Sequence, residues 1–200
     1  MAHHNYFEII GTTRDDAVGE VFDKVAKILG LPYPGGPSIA KASLNGNPAT
    51  YKLPIPKVDG YDFSFSGLKT AVLRAIQKEL NVPISTPSHS LAPLLTEQQK
   101  NDFSASFQIT AIQALIQKTD QAIQEFAPKS LVLAGGVSAN QSLRQALEEK
   151  YDPNFVFFPP VSFCTDNASM VASATYFSIQ EGQKPTDPYE LDISPRSAIV

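Results

Sequence analysis

The chain has one cysteine in 200 residues, no tryptophan and three histidines. A single thiol excludes a disulfide framework and any zinc site built from several cysteines. No apolar run approaches the roughly 18–20 residues of a membrane helix, and no charged-then-apolar leader opens the sequence. A soluble, reducing, cytoplasmic setting with no membrane partner is the expectation. Basic residues are in deficit, since 16 Lys and Arg against 20 Asp and Glu leave a net charge of −4. That excludes broad electrostatic capture of nucleic acid, which needs a basic face, but leaves room for a local basic patch.

What is present suits a folded chain: 42% hydrophobic and 18% charged residues supply a core, so wholesale disorder is excluded. The 16 prolines cluster in loops and extended stretches. A short strand is expected at Tyr6–Ile10, with Thr12 or Thr13 capping a helix from about Asp15 to Leu29. Its apolar positions fall on one face at 100° per residue, and Gly30 ends it. The loop 31–37, Leu-Pro-Tyr-Pro-Gly-Gly-Pro, reads as rigid and non-helical, with a short helix from Ser38 to Leu44 after it. Further on the pattern predicts an extended connector to Asp59, a strand at Phe63–Phe65 and a helix from Ser66 to about Leu80. A polar surface loop free to move is expected over 81–96, then a long helix from Glu97 to about Phe126. The run Ser130–Ala134 reads as a buried strand that breaks at Gly135-Gly136, with a helix from about Asn140 to Lys150. Phe155–Phe158 is a second buried strand, and Thr165 or Asp166 caps a last helix to about Gln180.

Candidate chemistry sits mainly at the turns. Gly135-Gly136 lies between a strand and a helix, where small residues let a ligand approach backbone N–H groups and a helix dipole. A plain tight turn explains the same residues, because neither dinucleotide nor phosphate-loop spacing is present. Asp166 stands where open α/β sheets place ligands, and either a metal or a helix cap would account for it. Cys164 beside it reads as a small buried residue with nothing basic nearby. Asp16, Glu20 and Asp23 form a carboxylate face whose ordinary role is solvated. Ser66 and Lys69 have S-x-x-K spacing, but the companion motifs of that hydrolase class are missing, and an N-cap serine is the ordinary role. His3, His4 and His89 form no chelating pair.

Taken together and in order, residues 13–24 (TRDDAVGEVFDK), 33–37 (YPGGP), 63–70 (FSFSGLKT), 134–140 (AGGVSAN) and 164–168 (CTDNA) are more specific than any one alone. They closely resemble the tRNA threonylcarbamoyladenosine transferase family, formerly called glycoprotease or O-sialoglycoprotein endopeptidase. The resemblance implies the actin/Hsp70/sugar-kinase ATPase-like α/β fold, two lobes around a cleft. Members move threonylcarbamoyl from threonylcarbamoyl-AMP to N6 of adenine 37 in tRNAs that read codons starting with A. It further implies that Asp23, Gly36 and Asn140 contact the adenylate, that Gly135 and Gly136 lie against its adenosine, and that Asp166 is a metal ligand. One divalent metal, iron or zinc, is implied for the complete enzyme. The implied partners are a paralogous bacterial subunit and an ATPase subunit.

The family's metal-binding histidine pair and its Ser-Gly-Gly-His phosphate loop are not in this sequence. The expectation is therefore the C-terminal part of the fold over 1–180, with the N-terminal lobe largely missing and a tail over 181–200. Such a part would not hold the metal or turn over alone. Two other readings remain open: a non-catalytic scaffold paralogous to the enzyme, and a serine hydrolase built on Ser66 and Lys69.

Overall fold

A computed structural model describes residues 7–184 together with Asp187 and Tyr189. The first helix, α1 (Val18–Leu29), buries Val21, Phe22, Val25, Ala26, Ile28 and Leu29 as its apolar stripe dictates. Gly30 closes it in the left-handed region at φ +71°, returning its N–H to the last carbonyls. α2 (Gly35–Ser43) follows, three residues earlier than the sequence predicts and inside the loop expected to be non-helical. Pro37 is tolerated there because the first turn of a helix has no N–H to lose. α3 (Ser66–Glu79) and α4 (Glu97–Phe126) complete the larger core. In that core Phe22 meets Phe107 edge to face, with ring centroids 4.8 Å apart.

α4 runs for 30 residues and joins two cores. Phe103, Phe107 and Ala111 pack with α1–α3, whereas Ile112 packs with Leu143, Leu147 and Val156 of the second cluster. That second cluster contains β1 (Leu131–Val132), α5 (Gln141–Lys150) and β2 (Val156–Phe157). The two strands pair in parallel, Leu131 opposite Val156 and Val132 opposite Phe157. The result is a mixed helix and strand protein with a small parallel sheet.

Several expectations are corrected. Phe7–Ile10 is not a strand, because nothing beside it among the described residues completes a ladder, and Tyr6 lies outside the described residues with His3 and His4. Phe63–Phe65 contributes one parallel bridge, Thr13 to Phe63, rather than a strand. The 81–96 loop is tied down: Leu91 and Leu95 are buried, and the Gln77 amide donates to the carbonyls of Ile84 and Thr86 at 3.0 Å each. The two strands are covered on one face only, so Val132 is 65% and Phe157 51% exposed, not buried. α6 (Ala168–Gln180) likewise buries no residue, despite carrying Met170, Val171, Tyr176 and Ile179. Most of the expected 181–200 tail lies outside the described residues.

Candidate functional site

Two backbone approaches and one buried amide build the site. The first approach is where α1 meets α2. Asp23, half-buried on α1, accepts a hydrogen bond from the Gly35 N–H at 2.7 Å, which gives one of the free donors at the start of α2 a carboxylate partner. Gly35 is needed for that closeness: a Cβ there would fall 2.5 Å from the Asp23 Cα and 2.7 Å from the Phe22 carbonyl oxygen. Gly36 differs, since no atom lies within 4 Å of its would-be Cβ. A cavity of about 430 Å³ opens beside this crossing, walled by Asp23, Lys24, Lys27, Pro32, Tyr33 and Gly35.

The second approach follows β1. Gly135 takes φ +85°, and both Gly135 and Gly136 face open space where a Cβ would be. A turn of 3-10 helix (Gly136–Ala139) then leads into α5. Asn140 caps α5: its Oδ1 accepts from the Leu143 N–H at 3.0 Å. Its Nδ2 donates to Gln108 Oε1 at 2.9 Å, and Gln108 Nε2 donates to Ser43 Oγ at 2.8 Å and Ser142 Oγ at 3.1 Å. Gln108 thus ties α2, α4 and α5 together. The turn also reaches α1, since Val137 Cγ2 lies 3.3 Å from the Cβ position of Gly19. α1 therefore carries both contacts, Gly19 against the Val137 turn and, one helical turn on, Asp23 against Gly35.

Asp166 is exposed, and no hydrogen bond or ion pair among the described residues ties it to those positions. It does not cap α6. Asn167 does, accepting from the Met170 N–H at 2.9 Å. Among the described residues no three His, Cys, Asp or Glu side chains are grouped to hold a metal. A lone exposed carboxylate does not fit a divalent ion, which takes about three protein ligands at catalytic sites, so no step here is routed through one. Cys164 is buried as expected, but a positively charged side chain does stand beside it: Arg144 donates to its Sγ at 3.2 Å.

The carboxylate face of α1 is not merely solvated. Lys24 bridges Asp16 at 2.5 Å and Glu20 at 2.8 Å, and Lys69 lies 3.8 Å from Asp16. Those pairs hold the Lys24 ammonium above its ordinary range, Asp16 first and Glu20 second. Ser66 does not meet Lys69, and it does not cap its helix. Asp15 does the capping from a distance: its Oδ1 accepts from the Phe65 N–H at 2.8 Å and the Ser66 N–H at 3.3 Å, and its Oδ2 accepts from the hydroxyls of Ser64 and Ser66. Burial alone would push this carboxyl up, but the two hydroxyls and two N–H groups hold it at about 2. The Ser66 hydroxyl is given to Asp15 while Lys69 faces Asp16, so the Ser66–Lys69 pair that the hydrolase reading needs is not formed.

Because the folded carboxyl lies below its ordinary value of 3.8, Asp15 stabilises the fold above that value. The contribution drains away as pH falls toward about 2. Urea midpoints measured from about pH 5 down to about pH 2 should fall more steeply for the wild type than for Asp15→Asn. Parallel curves would show that Asp15 is not linked to folding.

Sequence reasoning missed Gln108 and Asp15. A glutamine directly after Phe107 on an apolar helix face was the signal for the first. For the second, an Asp-Asp pair just ahead of α1 looks like ordinary first-turn acids, so no local signal was available.

The fold is a mixed α/β one whose candidate site lies at glycine turns and helix starts. A family model described as tRNA N6-adenosine threonylcarbamoyltransferase matches residues 1–173, and the chain belongs to that family. A relative of that name from Mycoplasma capricolum is 48% identical over 179 residues, covering 88% of this chain and 52% of the relative. One from Halalkalibacterium halodurans is 43% identical, over 90% of this chain and 50% of its own length. One from Caldicellulosiruptor saccharolyticus is 40% identical, over 97% and 54%. The chain spans about half the length of the curated relatives it matches. No helix among the described residues is long and apolar enough to cross a membrane.

Proposed function

We propose that this chain is a part of a cytoplasmic transferase that moves threonylcarbamoyl from threonylcarbamoyl-AMP to N6 of adenine 37 of tRNA. The observation that carries the reading is the Asn140 side chain, held at once by the α5 cap and by the buried Gln108 amide beside an open Gly135-Gly136 turn, in a chain of this family. In this reading the open Gly135-Gly136 turn receives the flat adenosine, and Asn140 and Gly36 fix the adenylate. The start of α2, already aligned by Asp23, faces the same ligand. The new bond is N6 to the carbamoyl carbon, the bond to the phosphate oxygen breaks, AMP leaves, and one N6 proton passes to solvent. Adenine N6 is a weak nucleophile, so positioning supplies much of the rate. The ATPase-like two-lobed fold, the paralogous subunit and the ATPase subunit belong to the same proposal, as does the absence of turnover by this chain alone.

Calorimetry with AMP and threonylcarbamoyl-AMP tests the reading. Binding no tighter than millimolar is expected for the wild type, because several charge-assisted hydrogen bonds of the complete site are not supplied here. Asn140→Asp keeps the α5 cap, since a carboxylate accepts from Leu143 as an amide does, but it loses the donor to Gln108. Asn140→Ala loses both. Both variants should lose the heat of binding and some stability: Asn140→Ala about 1 kcal/mol with the cap, and Asn140→Asp because its second carboxylate oxygen would face Gln108 Oε1 with no proton between them. Unchanged binding in Asn140→Asp would remove Asn140 from the site.

A further inference from the structure

A second cavity, of about 540 Å³, lies between the 56–59 segment and the C-terminal part of α4 and shares no wall residue with the α1–α2 cavity. Arg14, Lys57 and Lys118 line it, with Asp59 and the amides of Gln117 and Gln121. Its charge is held in fixed places. Lys118 donates to the Val58 carbonyl at 2.5 Å and to the Gly60 carbonyl, which pin the ammonium without cancelling its charge. Arg14 gives its Nε to Asp62 at 2.9 Å, a bond that uses one of the five donors of a guanidinium. The other Asp62 oxygen accepts from the Thr12 N–H at 2.9 Å. That N–H first, then Arg14, with Lys118 adding from farther away, hold the Asp62 carboxyl below its ordinary range. One carboxylate therefore serves two cations.

Counting Asp59 and Asp62 against Arg14, Lys57 and Lys118 leaves one positive charge unmatched, in a chain whose net charge is −4. That is the charge of one phosphodiester. Gln117 and Gln121, one helical turn apart on α4, add neutral donors on the same wall. The backbone around Arg14 is also fixed. Its N–H donates to the Phe63 carbonyl and the Phe63 N–H returns to Thr12, each at 2.8 Å.

We propose that this cavity recognises phosphate and takes a phosphodiester of the tRNA backbone. Arg14 and Lys57 donate to its non-bridging oxygens, and Lys118 supplies a fixed neighbouring charge. The proposal rests on the reading of the chain as tRNA-handling. A phosphate contact carries no sequence information, but it sets the register of the nucleic acid relative to α1 and Asp23.

Binding of the full chain to an unmodified tRNA and to poly(U), followed by fluorescence anisotropy across a salt series, tests it. Lys57→Gln and Lys118→Gln should each weaken binding to both polymers and lower the slope of log K against log salt by about one. Lys78→Gln, an exposed lysine on α3 away from the cavity, should leave the slope alone. An unchanged slope for Lys57→Gln while tRNA still binds overturns the phosphate site and leaves the tRNA reading standing. Equal loss on both polymers, with tRNA no better bound than poly(U), supports the site while counting against that reading. No binding of either polymer at low salt overturns the proposal. Inorganic phosphate, at matched ionic strength with chloride, should compete and reduce the Lys57 dependence; phosphate that binds in the cavity while RNA binding shows no Lys57 dependence makes the occupant free phosphate, and the RNA assignment falls.

Discussion

A Gly35→Ala variant is expected to lose about 3 kcal/mol of folding stability, and its neighbour Gly36→Ala none. The added methyl at position 35 would sit 2.5 Å from the Asp23 Cα, 2.7 Å from the Phe22 carbonyl oxygen and 2.9 Å from the Ala26 Cβ. Two of those atoms are backbone, and no rotamer change relieves them. α1 and α2 must separate, which opens the core around Val25 and Ile39 and stretches the 2.7 Å bond from Gly35 to Asp23. Against a typical total of 5–15 kcal/mol, such a loss is visible as a lower urea midpoint with an unchanged slope. At position 36 no atom lies within 4 Å of the methyl, and alanine is the better helix residue by roughly 0.5–1 kcal/mol. Gly36→Ala should therefore keep or raise stability while losing adenylate binding, because the methyl occupies the surface assigned to the ligand. Equal destabilisation of both variants would mean that Gly35 does not set the spacing of the two helices.

How much was legible in the sequence depended on whether the cause was local. α4 was readable to both ends, because Thr96 and Gln99 form a reciprocal capping box and the apolar positions repeat for 30 residues. The end of α1 was readable from Gly30 alone. Its start was not: the acid that seemed to open it, Asp15, is bonded to Ser64, Phe65 and Ser66 some 50 residues away. The strands were readable as apolar runs but not in length or cover, since a strand exists only beside another strand. The 81–96 loop was misjudged because Leu91 and Leu95 are isolated apolar residues with no period, anchored by a tertiary fit. At the candidate site, the five positions assigned to the adenylate were visible as motifs. Only the fold could show that Asn140 is held from two directions.

The direction that the cap does not supply is Gln108, and Gln108→Leu is expected to cost about 2–3 kcal/mol. Leucine nearly matches the volume of glutamine, so the change removes polar partners rather than packing. Asn140 Nδ2 would lose its acceptor at 2.9 Å, and Ser142 Oγ would lose its donor at 3.1 Å. Ser43 would keep its own bond to the Ala40 carbonyl at 2.8 Å, so its loss is smaller. Gln108 is only 5% exposed, and water does not readily replace it. The extra apolar burial offsets part of the penalty, which keeps the figure below the sum of the separate losses. Gln108→Glu should be worse, because it places a carboxylate in that buried position with no cation to meet it. The readout that separates a network from a packing defect is local. Amide exchange at Leu143 should speed up in both variants, since a swivelling Asn140 side chain no longer holds the cap, whereas exchange near Phe22 and Val25 should follow only the global loss. Wild-type protection at Leu143 in Gln108→Leu would show that the cap alone orients Asn140, and that the amide of α4 is not part of the site.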